Sequence, residues 1–218
     1  MGFSFFKLFS KKSTAKEASF ETSSAMNLKD VQIDESIEVS EPIPVTILYA
    51  LYVRPYEKVF KLSNTLDGIK QLTNYLYIFG DMPSIRRMEN FQKINNSYGI
   101  LAKTKLIDHS RRVTDNLLNL FQSTFGKNLL PYRPMLTILG LGHDIGKIPF
   151  FDYSEGYSTA NHPIVSAQVV RQCFNGRDIP WLDKVENAIL NHHRPSHGEL
   201  DLLLKKADSM ARDTELML

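Results

Sequence analysis

The sequence contains little that would suit a membrane or an oxidising compartment. Among its 218 residues there is one cysteine, Cys173, so an intramolecular disulfide cannot form and a reducing, cytoplasmic location is favoured. We interpret Cys173 as a packed or incidental thiol. No apolar run approaches the ~20 residues that a transmembrane helix needs. The net charge is only +2 at pH 7, so no global field demands a nucleic-acid partner.

The N-terminal 44 residues also lack the composition of a packed domain. Residues 1–12 read MGFSFFKLFSKK, which is too short to cross a bilayer and has no small-residue cleavage site of a signal peptide. We interpret them as a loose terminus; alternatively, their phenylalanines and lysines make a peripheral contact with a membrane surface. Residues 13–41 are rich in Ser, Thr, Glu and Asp, and Pro42 and Pro44 end this polar stretch. We therefore assign residues 1–44 to a disordered arm.

Residues 45–99 show helical apolar spacing but no catalytic pattern. A first helical face is predicted from Ile47, Leu48, Leu51 and Tyr52. Asp67-Gly68 has the composition of a turn, and Ser84 resembles a helix cap. We predict a helical accessory region; alternatively, its tyrosines form a base-stacking or partner surface.

Histidine and aspartate then appear on apolar helical faces. His109 lies three residues after Leu106 and four residues before Val113, on the apolar stripe of one predicted helix. His143 and Asp144 follow a nearly uniform apolar run that predicts a buried helix. An ionisable pair at such a position is costly to bury unless it is paired or binds a metal.

The same pattern continues toward the C-terminus. His162 is followed by a proline and opens a predicted helix. His192 falls seven residues after Val185, on the inward face of the next helix, and His193 is its neighbour. Asp208 shares one side of the last predicted helix with Leu204, Ala207 and Ala211.

Each of these residues alone is more often a core histidine, a surface histidine or a helix-end aspartate than a ligand. Together they predict a metal centre formed by His109, His143, Asp144, His162, His192, His193 and Asp208. Mixed nitrogen and oxygen donors without a thiolate suit Mn²⁺, Fe²⁺, Ni²⁺, Zn²⁺ or Mg²⁺. Lys147 follows Asp144 by three residues and is placed to meet an anion at such a metal.

These residues carry a resemblance to a known family. The chain resembles the HD-domain superfamily of metal-dependent phosphohydrolases through the motifs LIDH, GHDIGK, NHP, AILNHH and KADSMAR, in that order, over about residues 100–215. The ending and the short spacing from His193 to Asp208 are most similar to the HD domains of the bacterial endoribonuclease RNase Y and of certain conjugative relaxases. The Gly-Tyr-Pro segment of HD-GYP phosphodiesterases is absent, and Arg-Pro-Ser-His-Gly stands in its place.

The resemblance implies an all-α fold. The expected architecture is a compact helical bundle over residues 100–218, an N-terminal helical extension over residues 45–99 and the disordered arm over residues 1–44. It also implies two divalent metal ions. The first would be held by His109, His143, Asp144 and Asp208. Asp144 would bridge to a second, which would be held by His162, His192 and His193.

The resemblance further implies a substrate-binding role for Lys147 on the phosphate, with Arg194 as a weaker candidate for the same role. His197 has no place in the pattern, and we interpret it as a loop histidine. Two metals can activate a water molecule and neutralise a phosphoryl oxygen. Asp144 and Lys147 are therefore the predicted catalytic residues.

The predicted function is a metal-dependent phosphodiesterase whose phosphate-ester substrate is a nucleotide or a nucleic acid. The alternative is a non-catalytic HD-type scaffold or a nucleic-acid-binding module of a mobile-element or conjugation system. Proteins of that kind often lose ligands, whereas every expected ligand is present here. A nucleic-acid path would use Arg86, Arg87, Lys93, Lys103, Lys105, Arg111 and Arg112. The sequence does not predict the oligomeric state.

Overall fold

The computed structural model describes residues 46–85, 96–126, 128–151, 161–195 and 198–218. All of them belong to one unit, Glu38–Leu218. The regular elements within these ranges are helices, and no strand occurs among them, which confirms the all-α prediction for the described residues. The arm predicted at residues 1–44 lies outside them, as do Arg86, Arg87, Lys93 and His197.

Eight α-helices are described. They are α1 (Glu57–Leu62), α2 (Leu66–Phe79), α3 (Asn96–Leu101), α4 (Leu106–Phe125), α5 (Arg133–Gly142), α6 (His162–Cys173), α7 (Leu182–Asn191) and α8 (Glu199–Leu216). A π-helix occupies Tyr49–Val53, and short 3₁₀ turns occupy Arg54–Tyr56, Leu130–Tyr132 and Ile145–Lys147. No helix among the described residues has the length and apolar character required to span a membrane.

The centre of the bundle is α5, which packs between α4 and α7. Leu136, Ile138, Leu139 and Leu141 are fully buried, as the uniform apolar run predicted. A Cβ atom on Gly140 would lie 2.5 Å from Thr114 Oγ1 and 2.7 Å from Thr114 Cα, so this glycine permits the close crossing of α4 and α5. The C-terminal end of α5 therefore lies inside the bundle, and it delivers the residues that follow it to the interior.

Of two local predictions for the N-terminal extension, one was right in part and the other was wrong. On the first predicted face, Leu48 and Tyr52 are buried, whereas Ile47 is 61% exposed and Leu51, within the π-helix, is 48% exposed. The wider turn of a π-helix changes which residues share a face, and the α-helical spacing does not anticipate it. Asp67-Gly68 is not a turn, because both residues lie in the first turn of α2.

A short irregular segment, Gly80–Ser84, runs beside the N-terminus of α4, and its Pro83 forms an isolated antiparallel bridge with Lys105. Its carbonyl groups accept hydrogen bonds from the first amides of α4: Met82 O from Leu106 N at 2.7 Å and Gly80 O from Ile107 N at 3.0 Å. These partners satisfy amides that a helix N-terminus leaves without an intrahelical acceptor. The amide of Ser84 donates to Thr104 O at 2.8 Å, which fixes Ser84 in a fully buried position beside the candidate site.

Candidate metal centre

Five helices bring the predicted ligands together inside the bundle. α4 carries His109, and the end of α5 carries His143 and Asp144. α6 begins with His162, α7 is followed by His192 and His193, and α8 carries Asp208. The most deeply buried of these residues are His109, His143, Asp144, His162 and His192, each with a relative exposure of 4% or less.

One group of ligand atoms lies between α4 and α5. Asp144 Oδ2 is 3.5 Å from His109 Nε2 and 3.5 Å from His143 Nε2, and the two Nε2 atoms are 3.4 Å apart. Each of the three residues offers a ligand atom within 4.8 Å of the others. Asp208 lies at the edge of this group: its Oδ1 is 3.2 Å from His109 Nε2, but it is not within 4.8 Å of all three of the other ligand atoms.

The second group lies between α6 and α7 and uses the other oxygen of the same aspartate. Asp144 Oδ1 is 3.0 Å from His162 Nε2 and 3.6 Å from His192 Nε2. His162 Nε2 is also 3.3 Å from His192 Nε2 and 3.1 Å from His193 Nε2. Among the described residues, Asp144 belongs to both groups and presents one carboxylate oxygen to each.

Hydrogen bonds at the outer ring nitrogens orient three of the histidines. The Nδ1–H of His143 donates to Gly140 O at 2.8 Å, and that of His192 donates to Ile189 O at 2.6 Å. His109 Nδ1 is 2.9 Å from the carboxylate oxygen Oε1 of Glu215. A neutral imidazole that donates from Nδ1 keeps its lone pair on Nε2. All three rings therefore turn a metal-binding nitrogen toward the cluster.

Two carboxylate oxygens of the cluster lack hydrogen-bond donors. Among the described residues, Asp144 Oδ1 and Asp208 Oδ1 are buried acceptors without a hydrogen-bond partner. With Nδ1 protonated, His192 turns a lone pair on Nε2 toward Asp144 Oδ1 at 3.6 Å, and His109 turns one toward Asp208 Oδ1 at 3.2 Å. Such an arrangement is costly unless a cation lies between the groups. The residues present therefore fit a site for divalent metal.

The protonation equilibria favour the same interpretation. Burial alone would raise the pKa of Asp144, but the Lys147 ammonium and the neighbouring imidazoles hold that pKa well below its usual range. Burial lowers the pKa of His193 to about 4, with a further contribution from His192. Burial would also lower the pKa of His109, but the neighbouring carboxylates of Asp144, Asp208 and Glu215 raise it to about 9. The potential that favours a proton on His109 also favours a metal cation there.

Comparison with protein families agrees with this geometry. A sequence profile for the HD domain matches residues 106–213. This segment is an HD domain. HD domains constitute a superfamily of metal-dependent phosphohydrolases, and the His/Asp cluster fits the metal site of such a protein. Searches of curated proteins and of solved structures gave no match. The finer similarity to the RNase Y and relaxase domains stays a prediction.

Lys147 of the HD domain lies against the shared aspartate. Its Nζ is 2.5 Å from Asp144 Oδ2 and donates to Ser84 O at 3.1 Å, and its side chain is 11% exposed. Arg194 is exposed, and its backbone carbonyl accepts a hydrogen bond from Lys205 Nζ. No hydrogen bond or ion pair of the Arg194 guanidinium is described, so its role on substrate stays a prediction.

Three residues beside the ligands were missed by the sequence analysis. Arg212 donates from Nη1 to Ser84 Oγ and to Glu215 Oε2, both at 2.8 Å. Its Nη2 is 3.8 Å from Asp144 Oδ2, and its Nε is 3.8 Å from Asp208 Oδ1. Helical spacing could have identified two of them, because Arg212 and Glu215 follow Asp208 by four and seven residues. Ser84, which precedes the HD domain, was indicated only as a helix cap, and residues 86–95, which would form that helix, lie outside the described residues.

Two cations of the predicted nucleic-acid path are engaged within the protein. Lys105 forms an ion pair with Asp81, and Arg112 Nη1 is 3.5 Å from Glu215 Oε1. A nucleic-acid partner stays a prediction.

Proposed function

We propose that this protein is a metal-dependent phosphodiesterase that hydrolyses a phosphodiester of a nucleotide or nucleic acid at a centre of two divalent ions. The observation that carries the proposal is the division of one carboxylate between two histidine groups. Asp144 Oδ2 faces His109 and His143, whereas Asp144 Oδ1 faces His162 and His192. A carboxylate with this placement is suited to bridge two cations.

The position of each ligand residue indicates which of the two ions it would hold. His109, His143 and Asp208 would hold one ion with Asp144, and His162, His192 and His193 would hold the other. When bound, such ions supply a nucleophilic water at neutral pH and stabilise negative charge on the phosphoryl group. The ligands are nitrogen and oxygen atoms, which suit Mn²⁺, Fe²⁺, Ni²⁺, Zn²⁺ or Mg²⁺.

Lys147 supplies positive charge beside the reacting group. Its ammonium contacts Asp144 Oδ2 and is held by the carbonyl of Ser84, so its position is fixed before substrate arrives. A preorganised cation stabilises charge that develops on a phosphoryl oxygen without the cost of reorientation. His193 is exposed while His109, His143, His162 and His192 are buried, which indicates that the open side of the centre lies near the end of α7.

The test begins with the metal content of the full-length protein purified without chelator. The protein is then stripped, reloaded with each candidate ion and assayed against cyclic dinucleotides, nucleotides, RNA and single-stranded DNA. We expect hydrolysis of at least one phosphodiester, and its loss in Asp144→Ala. Asp213→Asn serves as a control, because Asp213 is an exposed carboxylate on α8.

Two results would contradict the proposal in different ways. A protein that binds none of these ions has no metal centre. A protein that binds metal but leaves every substrate intact would favour the non-catalytic scaffold.

A further inference from the structure

We propose that Glu215 positions His109 for metal binding, and that Arg212 and Ser84 hold Glu215 in place. Glu215 would thereby set the metal affinity of the first ligand group, although it does not itself face the metal. This inference rests on the metal centre proposed above, and it concerns residues on both sides of the matched segment 106–213.

Glu215 is aimed at the back of His109. Its side chain is fully buried, and its Oε1 lies 2.9 Å from His109 Nδ1. A carboxylate at this distance favours a proton on Nδ1, which leaves Nε2 as the ligand atom toward Asp144 and Asp208. The corresponding nitrogens of His143 and His192 donate to backbone carbonyls instead. Among the orienting partners described, Glu215 therefore differs in carrying a full negative charge.

Packing alone does not account for a carboxylate at this position. Burial of an ion pair is often no more favourable than burial of apolar side chains of similar volume. Glu215 nevertheless lies in the interior with Arg212 Nη1 at 2.8 Å and Arg112 Nη1 at 3.5 Å. The charge is directed at a ligand histidine rather than at solvent. A role in orienting that ligand explains why a charged group occupies this site.

Arg212 connects Glu215 to the rest of the centre. Its guanidinium donates to Glu215 Oε2 and to Ser84 Oγ, and it stands 3.8 Å from a carboxylate oxygen of Asp144 and of Asp208. The amide N–H of Ser84 donates a hydrogen bond to Thr104 O, and the Ser84 carbonyl accepts one from Lys147 Nζ. Ser84 thus anchors both the Lys147 ammonium and the Arg212 guanidinium, which lie on either side of Asp144. The segment before the HD domain therefore has a structural role at the centre.

The experiment measures Zn²⁺ affinity of the stripped full-length protein by competition with a chromophoric chelator. Loss of a carboxylate behind a ligand histidine lowers metal affinity by roughly 10–100-fold. In Glu215→Ala we expect the Zn²⁺ affinity of the site that contains His109 to fall by a factor in that range. Glu215→Gln should show a smaller loss, since its amide oxygen still accepts from Nδ1–H. Asp213→Asn is the matched control on the same helix and should bind as the wild type does.

A second measurement separates orientation from a general effect on folding. Long-range ¹H–¹⁵N spectra of the Zn²⁺-loaded protein report which nitrogen of His109 carries the proton. The wild type should show His109 protonated on Nδ1. Glu215→Ala should shift the His109 signals while those of His162 and His193 remain in place, because these two histidines belong to the other ligand group.

The outcomes discriminate between this inference and the proposed function. A wild type that binds no Zn²⁺ overturns both. Wild-type affinity and an unchanged His109 spectrum in the Glu215 variants overturn the inference alone. If Glu215→Ala does not fold, Glu215→Gln decides by the same two measurements. Lack of phosphodiesterase activity in a Zn²⁺-binding protein would leave the inference intact.

Discussion

Replacement of Asp144 by asparagine should remove the stabilisation that metal gives to the fold. The two carboxylate oxygens serve separate ligand groups, so one substitution weakens both. At a free metal concentration about 100 times the Kd, one site stabilises the native state by about 2.7 kcal/mol. The two sites proposed above would together contribute about 5 kcal/mol in the wild type. For a chain of this size, each kcal/mol corresponds to about 2–4 °C in Tm, so the metal-dependent shift should reach about 10–20 °C.

The assay is thermal unfolding, followed by circular dichroism, of stripped and metal-loaded protein. Asp144→Asn should lose most of the shift. His193→Ala should retain about half of it, because His193 belongs to one group and the group of His109, His143 and Asp144 is untouched. A full metal-dependent shift in Asp144→Asn would refute the shared-carboxylate reasoning. So would a complete loss of the shift in His193→Ala.

Three further predictions concern the residues around the centre. Lys147→Ala should lower kcat by about 10²-fold with metal content unchanged, since a fixed cation is lost from the phosphoryl site; equal kcat in steady-state assays would exclude this role. Gly140→Ala should lower the free energy of unfolding in urea by about 1–3 kcal/mol, because the new Cβ would lie 2.5 Å from Thr114 Oγ1. A Cβ at Gly99 would have no atom within 4 Å, so Gly99→Ala should not destabilise the protein. Burial raises the pKa of Cys173 to about 12, so a thiol reagent at pH 8 should label it only after unfolding in guanidinium; rapid labelling of native protein would contradict its burial.

Several features of the centre follow from local sequence alone. An α-helix repeats every 3.6 residues, so an apolar stripe identifies the side chains that point inward. On this basis the sequence predicted inward positions for His109 on α4, for His192 just after α7 and for Asp208 on α8. In the structure His109 and His192 are buried, and Asp208 is partly exposed. The resemblance to the HD-domain superfamily predicted the order of the candidate ligands along the chain. The profile match over residues 106–213 confirms the family.

Local periodicity failed where a short segment departs from the α-helix or where a glycine serves packing. Around the π-helix at Tyr49–Val53, Ile47 and Leu51 are exposed, although their spacing predicted that they would be buried. Gly68 reads as a turn residue in sequence, but a Cβ there would lie 2.3 Å from the ring of Phe174. The glycine is required by the approach of α2 to the end of α6, and that approach is a tertiary contact.

The sequence by itself predicted that the described residues are helical and that they include an HD domain, and it placed His109, His143, Asp144, His162 and His192 inward. Only the tertiary structure decided which oxygen of Asp144 faces which histidines, and that Glu215 stands behind His109. His109 and Glu215 are 106 residues apart, and Ser84 is 63 residues from Lys147. Contacts over such separations depend on how closely and at what angle the helices cross. Close packing between helices sets that geometry, as at Gly140 against Thr114. The residue pattern within one helix does not predict it.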